Sequence, residues 1–261
     1  MRAGAYKAIG IIPARYASKR FPGKVLAPIG DKPMIQHVYE RASRAGSLQQ
    51  VLVATDDERI ARAVKRFGGA WRMTNSGHAT GSDRVAEVAR EMDADFVVNI
   101  QGDEPFIDPG AIDLAVEHLS THPDASVATL VRPCHSWEEL RSPNTAKVVL
   151  DERGYALYFS RSVIPFYRDE LPAETALKAH RYFLHIGLYV FRRPFLLEYT
   201  TFAPTALEQA EKLEQLRILE RGYKIICAQT DYESICVDTP DDLERAQQKY
   251  RELSSVENGE N

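Results

Sequence analysis

Through the first half of the chain, short apolar runs rich in β-branched residues alternate with stretches whose apolar positions recur every three or four residues. Ala8-Ile9-Gly10-Ile11-Ile12, Val51-Leu52-Val53-Ala54-Thr55 and Phe96-Val97-Val98-Asn99-Ile100 read as buried strands. Between the first two, Pro33 opens a helix with Ile35, Val38, Tyr39 and Ala42 on one stripe. Asp56-Asp57 caps a second helix through Ile60, Ala63, Val64 and Phe67, which Gly68-Gly69 ends. A third begins near Ser82-Asp83 and runs through Val85, Val88 and Ala89. Strand, helix, strand in this order predicts right-handed βαβ units, and so an α/β fold with a mostly parallel, Rossmann-like sheet flanked by helices.

The second half is more mixed. Residues 146–150 and 155–159 flank Asp151-Glu152-Arg153-Gly154 and predict a hairpin turning at the glycine. Tyr182 to Phe191 predicts another strand, Ala206 to Arg221 a single helix ended by Gly222, Tyr223 to Ala228 a strand, and Pro240 to Leu253 a final helix. With no internal repeat and no long linker, the expected organisation is one domain over residues 1–253 with a mixed β subregion at 146–192. Residues 254–261 are polar and expected to be a disordered tail.

Composition changes this picture little but closes several doors. In 261 residues, 33 Lys and Arg stand against 37 Asp and Glu, a net charge of −4 that speaks against nucleic-acid and anionic-membrane partners. The three cysteines, Cys134, Cys227 and Cys236, form no C-x-x-C pair, so neither a disulfide framework nor a zinc knuckle is expected. Apolar runs such as Ala8 to Ala14 fall far short of the ~20 residues that span a bilayer. Nothing at the N-terminus reads as a secretory signal. A soluble, cytoplasmic protein is expected.

The chemistry concentrates after the first strand, in Pro13-Ala14-Arg15-Tyr16-Ala17-Ser18-Lys19-Arg20-Phe21-Pro22-Gly23-Lys24. Four cations in ten residues follow a buried strand, at the edge where open α/β sheets bind ligands. A run of charge is commonly a solvated loop; the Pro and Gly framing and the strand end favour wrapping a triphosphate, with Arg forks and Lys point charges on its oxygens. The segment is not a Walker A loop, and the absence of G-x-G-x-x-G weighs against a dinucleotide oxidoreductase.

A second strand runs through Asn99-Ile100-Gln101-Gly102-Asp103-Glu104-Pro105, which brings Asp103 to the same edge. A hard carboxylate there suits Mg²⁺ bridging phosphates, whereas the capping role at the helix near Pro109 is better filled by Asp108. A third carboxylate lies in Ile235-Cys236-Val237-Asp238-Thr239-Pro240-Asp241-Asp242. Capping explains Thr239 and the acidic first turn; Asp238, ending an apolar run read as a strand, is open between a structural role and a second metal ligand. His118 and His122 have a zinc-compatible spacing but no third ligand nearby, and are expected to face solvent.

Taken together, IIPARYASKRFPGK, GHATGSDR (77–84), NIQGDEP, KVVLDERGYALYFSRSVIPF, HIGLYVFR, the 211–217 segment and the 237–243 segment resemble the cytidylyltransferases that make CMP-sugars, from about Ile9 to about Leu253. Lys19 and Ser82-Asp83 depart from the family pattern only conservatively. The resemblance implies a fold of the nucleotide-diphospho-sugar transferase type and transfer of CMP from CTP to a sugar acid. It points to 3-deoxy-manno-octulosonate (Kdo) for lipopolysaccharide synthesis, with the 8-amino analogue or sialic acid as alternatives. It further implies Arg15, Arg20 and Lys24 on the CTP phosphates and Asp103 and Asp238 on Mg²⁺. Cytosine would be read by backbone near Ala14 with Ser82 and Arg84, and the sugar acid by Gln101, Arg161, His185, Tyr189, Glu214 and Gln215. A homodimer through the Gly154 to Arg181 region is implied as well.

Plainer roles stand beside these. Tyr189 and His185 can be strand residues packed under a loop, Glu214 and Gln215 helix surface, and Arg161 a partner of Asp169 or Glu170. Two other function classes compete: a metal-dependent glycosyltransferase using a finished nucleotide sugar, and a nucleotide-binding regulator. Four cations suit a triphosphate better than a diphosphate.

Overall fold

The Ala8–Ala14 strand (β1) is almost wholly buried, because an apolar run with no polar face is stable only inside a sheet covered on both sides. The hairpin of Pro28–Ile29 (β2) and Lys32–Pro33 (β3) leads into α1 (Met34–Ala42), which buries Met34, Ile35, Val38 and Ala42. Leu48–Thr55 (β4) is followed by α2 (Glu58–Arg66), whose first turn is capped by the Asp57 carboxylate accepting from the Arg59 N–H at 2.8 Å. Trp71–Met73 (β5), α3 (Gly81–Arg90) and Phe96–Asn99 (β6) complete the run. The cap of α3 is Thr80, in a reciprocal box with Asp83, two residues ahead of the expected start at Ser82.

This is a computed structural model, and it describes residues 6–17, 20–168, 175, 177 and 181–257. The chain divides into two compact units, residues 1–113 with 234–261, and residues 114–233, the boundary falling within α4 (Pro109–Thr121). In the first unit the strands lie in the order β6-β1-β4-β5, every neighbouring pair parallel. As expected, Asp108 caps α4, accepting from the Gly110 and Ala111 N–H groups.

In the second unit, Val127–Pro133 (β7) is followed by the short α5 (Trp137–Arg141), the strands Lys147–Leu150 (β8), Ala156–Ser160 (β9) and Phe183–Arg192 (β10), and three short helices. These are α6 (Arg193–Tyr199), α7 (Ala206–Glu211) and α8 (Leu216–Glu220), after which Ile225–Gln229 forms β11. β11 pairs with β7 in parallel, and β7-β10-β8-β9 continue antiparallel, β8 and β9 being the predicted hairpin. A register shift between Ile186 and Tyr189 marks a bulge in β10. The last helix, α9 (Pro240–Glu257), belongs to the first unit. There Val237 and Ala246 join Ile29, Met34 and Phe106 in one apolar cluster. Among the described residues no helix is long and apolar enough to cross a membrane.

Three expectations need correction. The helix expected over 206–221 is two helices, broken at Lys212, which adopts the left-handed conformation (φ 53°). The strand expected at 235–237 is irregular chain. The last helix continues through 254–257, where Ser, Val and Glu offer no breaker, and 258–261 lie outside the described residues. Lys19, Asp169 and Glu170 also lie outside them, as does part of the segment expected at a dimer contact.

Candidate active site

Three turns of backbone in the first unit build the site. After β1 the chain bends through Gly23, whose φ of +73° is ready for glycine and strained for other residues, and whose N–H bonds the Tyr16 carbonyl at 2.8 Å. That closed loop launches the Lys24–Leu26 turn and commits Lys24 to one direction. After β6, Gly102 comes so close to β1 that a Cβ there would meet the Pro13 carbonyl oxygen at 3.1 Å, and the next residue is Asp103. Asp238 arrives on irregular chain held by the Val237 N–H donating to the Asp103 carbonyl at 2.9 Å.

The three segments meet at one cation. Lys24 Nζ lies 2.5 Å from Asp103 Oδ2 and 2.8 Å from Asp238 Oδ1, while Arg20 Nη2 lies 2.8 Å from Asp238 Oδ2. Only 14% of the Lys24 side chain is exposed. Burial pulls its pKa down, but the two carboxylates outweigh this and the net shift is upward, so the ammonium stays charged. Cys236 Sγ and a carboxylate oxygen each of Asp103 and Asp238 lie within 4.8 Å of one another. Burial, then the two carboxylates, push the Cys236 thiol far up, leaving the oxygens as the charged donors.

A cavity of about 480 Å³ lies over this cluster. Its wall includes Ala14, Arg15, Arg20, Lys24, Arg84, Gln101, Asp103 and Asp238 from the expected set. Arg84 is aimed by Asp56 Oδ2, 3.1 Å from its Nη2, and by the Thr74 hydroxyl. Ser82 is buried beside Asn99, 3.4 Å from its Nδ2, and is not part of the wall. The wall also holds His78, Thr80 and Gly81, which the sequence reading passed over. The signal lay in GHATGSDR: a Thr-x-x-Asp box sets a ten-residue helix with its N-terminus at the cavity, the end that favours an anion. His78 is tied back to Glu87 of the same helix.

The remaining candidates sit in the second unit. His185 Nε2 is 2.9 Å from the Thr129 hydroxyl, which itself lies 2.8 Å from the Leu188 carbonyl. The hydroxyl hydrogen serves that carbonyl, so Nε2 is the donor and Nδ1 the ring's acceptor. Burial lowers the His185 pKa to about 3, keeping the ring neutral. The Tyr189 ring is 5.4 Å from His185, centroid to centroid, and its hydroxyl is pushed well up by burial. Glu214 accepts from the Tyr199 hydroxyl at 3.0 Å. Gln215 is 4% exposed and its Nε2 has no hydrogen-bond partner among the described residues. The Arg161 guanidinium donates to the carbonyls of Glu211, Pro143 and Lys212.

The family model described as cytidylyltransferase matches residues 9–225. The chain belongs to the cytidylyltransferase family. It is 53% identical over 249 residues to 3-deoxy-manno-octulosonate cytidylyltransferase of Geotalea uraniireducens, covering 94% of this chain and 99% of that one. The enzyme of the same description from Geobacter sulfurreducens is also 53% identical, over 245 residues, covering 92% and 98%. A solved structure of CMP:2-keto-3-deoxy-manno-octonic acid synthetase complexed with CTP superimposes on this cytidylyltransferase with a TM-score of 0.88 at 42% identity, covering 95% of this chain and 99% of that chain. The α/β sheet with flanking helices is thus the family's fold.

Proposed function

We propose that this cytidylyltransferase activates Kdo with CTP, releasing CMP-Kdo and pyrophosphate. The observation that carries the reading is the convergence of Arg20, Lys24, Asp103 and Asp238 at one cavity, in a chain half identical to enzymes of that description. The anomeric hydroxyl of Kdo attacks the α-phosphorus of CTP and gives up its proton to solvent, the bond to the bridging oxygen breaks, and pyrophosphate leaves with that electron pair. Arg15, Arg20, Lys24 and the N-terminus of α3 hold the phosphate oxygens and neutralise the charge that develops on the leaving group. Ala14 backbone and Arg84 face cytosine, while Ser82 is buried and outside the cavity wall. Gln101 of the first unit takes the sugar acid; within the second unit, Arg161, His185, Tyr189, Glu214 and Gln215 are the residues that the family resemblance assigns to it, His185 Nδ1 as an acceptor and Gln215 Nε2 as a donor.

Two hard carboxylates already gathered around a cation fit Mg²⁺, so Asp103 and Asp238 are its ligands in this reading. Bound there, Mg²⁺ supplies Lewis-acid charge neutralisation at the phosphates. The free cysteines Cys134, Cys227 and Cys236 suit a cytoplasmic enzyme.

A homodimer fits the edge strand β9, which among the described residues pairs with β8 alone along its named length and leaves Leu157 60% exposed, with Phe166 87% exposed just beyond it. Leu157→Glu is expected to yield monomer by sedimentation.

A coupled assay of pyrophosphate release with CTP and a panel of sugar acids tests the activity. Kdo is expected to react. Release with sialic acid but not Kdo would replace the substrate, and no release with any sugar acid would end the enzyme reading.

A further inference from the structure

Lys24 and Arg20, which face phosphates in the proposed reaction, are here engaged with Asp103 and Asp238, which face the metal. A divalent ion bound 2.0–2.1 Å from oxygens of both carboxylates would occupy the space that Lys24 Nζ now takes at 2.5 and 2.8 Å. Metal entry therefore requires the ammonium to leave. A cation this buried leaves only for another anion, and the phosphates of CTP are that anion. Conversely, phosphates can capture Lys24 and Arg20 only if something else neutralises the two carboxylates they abandon.

We propose that Lys24 is a placeholder for the metal. Nucleotide and divalent ion enter by exchanging partners with two pre-existing ion pairs, so each binds the free protein weakly and strengthens the other. This rests on the Asp103–Asp238 metal assignment above. The exchange leaves each group with a partner of opposite charge: two cations and two carboxylates start paired together and end paired to triphosphate and metal. Lys24 thereby gains a positioning role before any chemistry, by keeping the carboxylates at metal spacing and closed to stray divalent ions.

Mn²⁺ titration of the nucleotide-free protein, followed by electron paramagnetic resonance, reads the first half. Lys24→Met should bind one Mn²⁺ at least ten-fold more tightly than wild type, and adding Asp103→Asn should remove the gain. Calorimetry with CTP in excess EDTA reads the second half: Asp103→Asn alone should bind metal-free CTP several-fold more tightly, because Lys24 is released. Lack of gain in either arm, in a folded variant, overturns the placeholder. If Lys24→Met fails to fold, the CTP arm decides alone. The metal assignment fails separately: a Mn²⁺ gain that survives Asp103→Asn puts the ion elsewhere, and metal-dependent turnover retained by both Asp103→Asn and Asp238→Asn removes the site altogether.

Discussion

The His185 imidazole makes the fold sensitive to acid. His185 donates to Thr129 as a neutral ring, and burial holds its pKa at about 3, against about 6.5 for an unfolded chain. Between these values the unfolded chain binds a proton that the folded one refuses, so stability is complete above pH 6.5 and is lost progressively as pH falls towards 3. The loss over that window is on the order of a few kcal/mol. His185→Gln keeps an amide donor for Thr129 and does not titrate; urea unfolding between pH 7.5 and 4.5 should show a shallower decline for the variant. An equal decline in both proteins would assign the acid sensitivity to other groups. At this scale the sequence was informative where a side chain follows a strand directly. Lys24 and Asp103 stood out because each trails a β-branched run, whereas the orphan donor on Gln215 and the tautomer of His185 depend on neighbours distant in sequence.

At the scale of elements, helix starts with a local signal could be read, and a break imposed by distant partners could not. The helices α1 to α3 follow Pro33, Asp57 and Thr80, each a local start signal, and lie where their apolar stripes predict. The pair α7–α8 shows the opposite case. Nothing between residues 206 and 221 breaks a helix, and the stripe of Leu207, Ala210, Leu213 and Ile218 reads as continuous. The break comes from partners fifty residues away: Glu211 accepts from the Ser160 hydroxyl at 2.5 Å and the Arg161 N–H at 2.9 Å, and Arg161 Nε donates to the Glu211 carbonyl at 2.8 Å. These bonds consume a carbonyl that a continuous helix would need, and Lys212 turns left-handed to compensate. A side chain there costs about 1 kcal/mol relative to glycine. Lys212→Gly should therefore raise the unfolding free energy by that amount, read as a higher urea midpoint at unchanged slope; a lower midpoint would mean that the lysine side chain contributes to the fold.

For the molecule as a whole, the first unit is discontinuous, and its last segment contributes both a carboxylate and an apolar face. Removing residues 234–261 would strip Val237 and Ala246 from their cluster with Ile29, Met34 and Phe106, as well as deleting Asp238. Asp238→Asn deletes only the charge. The truncated chain should lose melting temperature and pyrophosphate release together, while Asp238→Asn should lose turnover at a nearly unchanged melting temperature. A truncated chain with normal melting would show that the C-terminal helix is dispensable to packing. The parallel βαβ core was legible because each strand is apolar by itself. The return of residue 234 onward was legible as a meeting of Asp238 with Asp103, but not in its means: the expected strand is irregular chain held by a main-chain bond to Asp103.

That bond also sets a clock. Asp238 is made 135 residues after Asp103, roughly ten seconds later on a translating ribosome. For that interval the nascent chain carries its cationic loop and one acidic partner but not the other. With Asp238 a metal ligand, as proposed, such a chain cannot yet consume nucleotide, so catalytic competence trails the cationic loop by that interval.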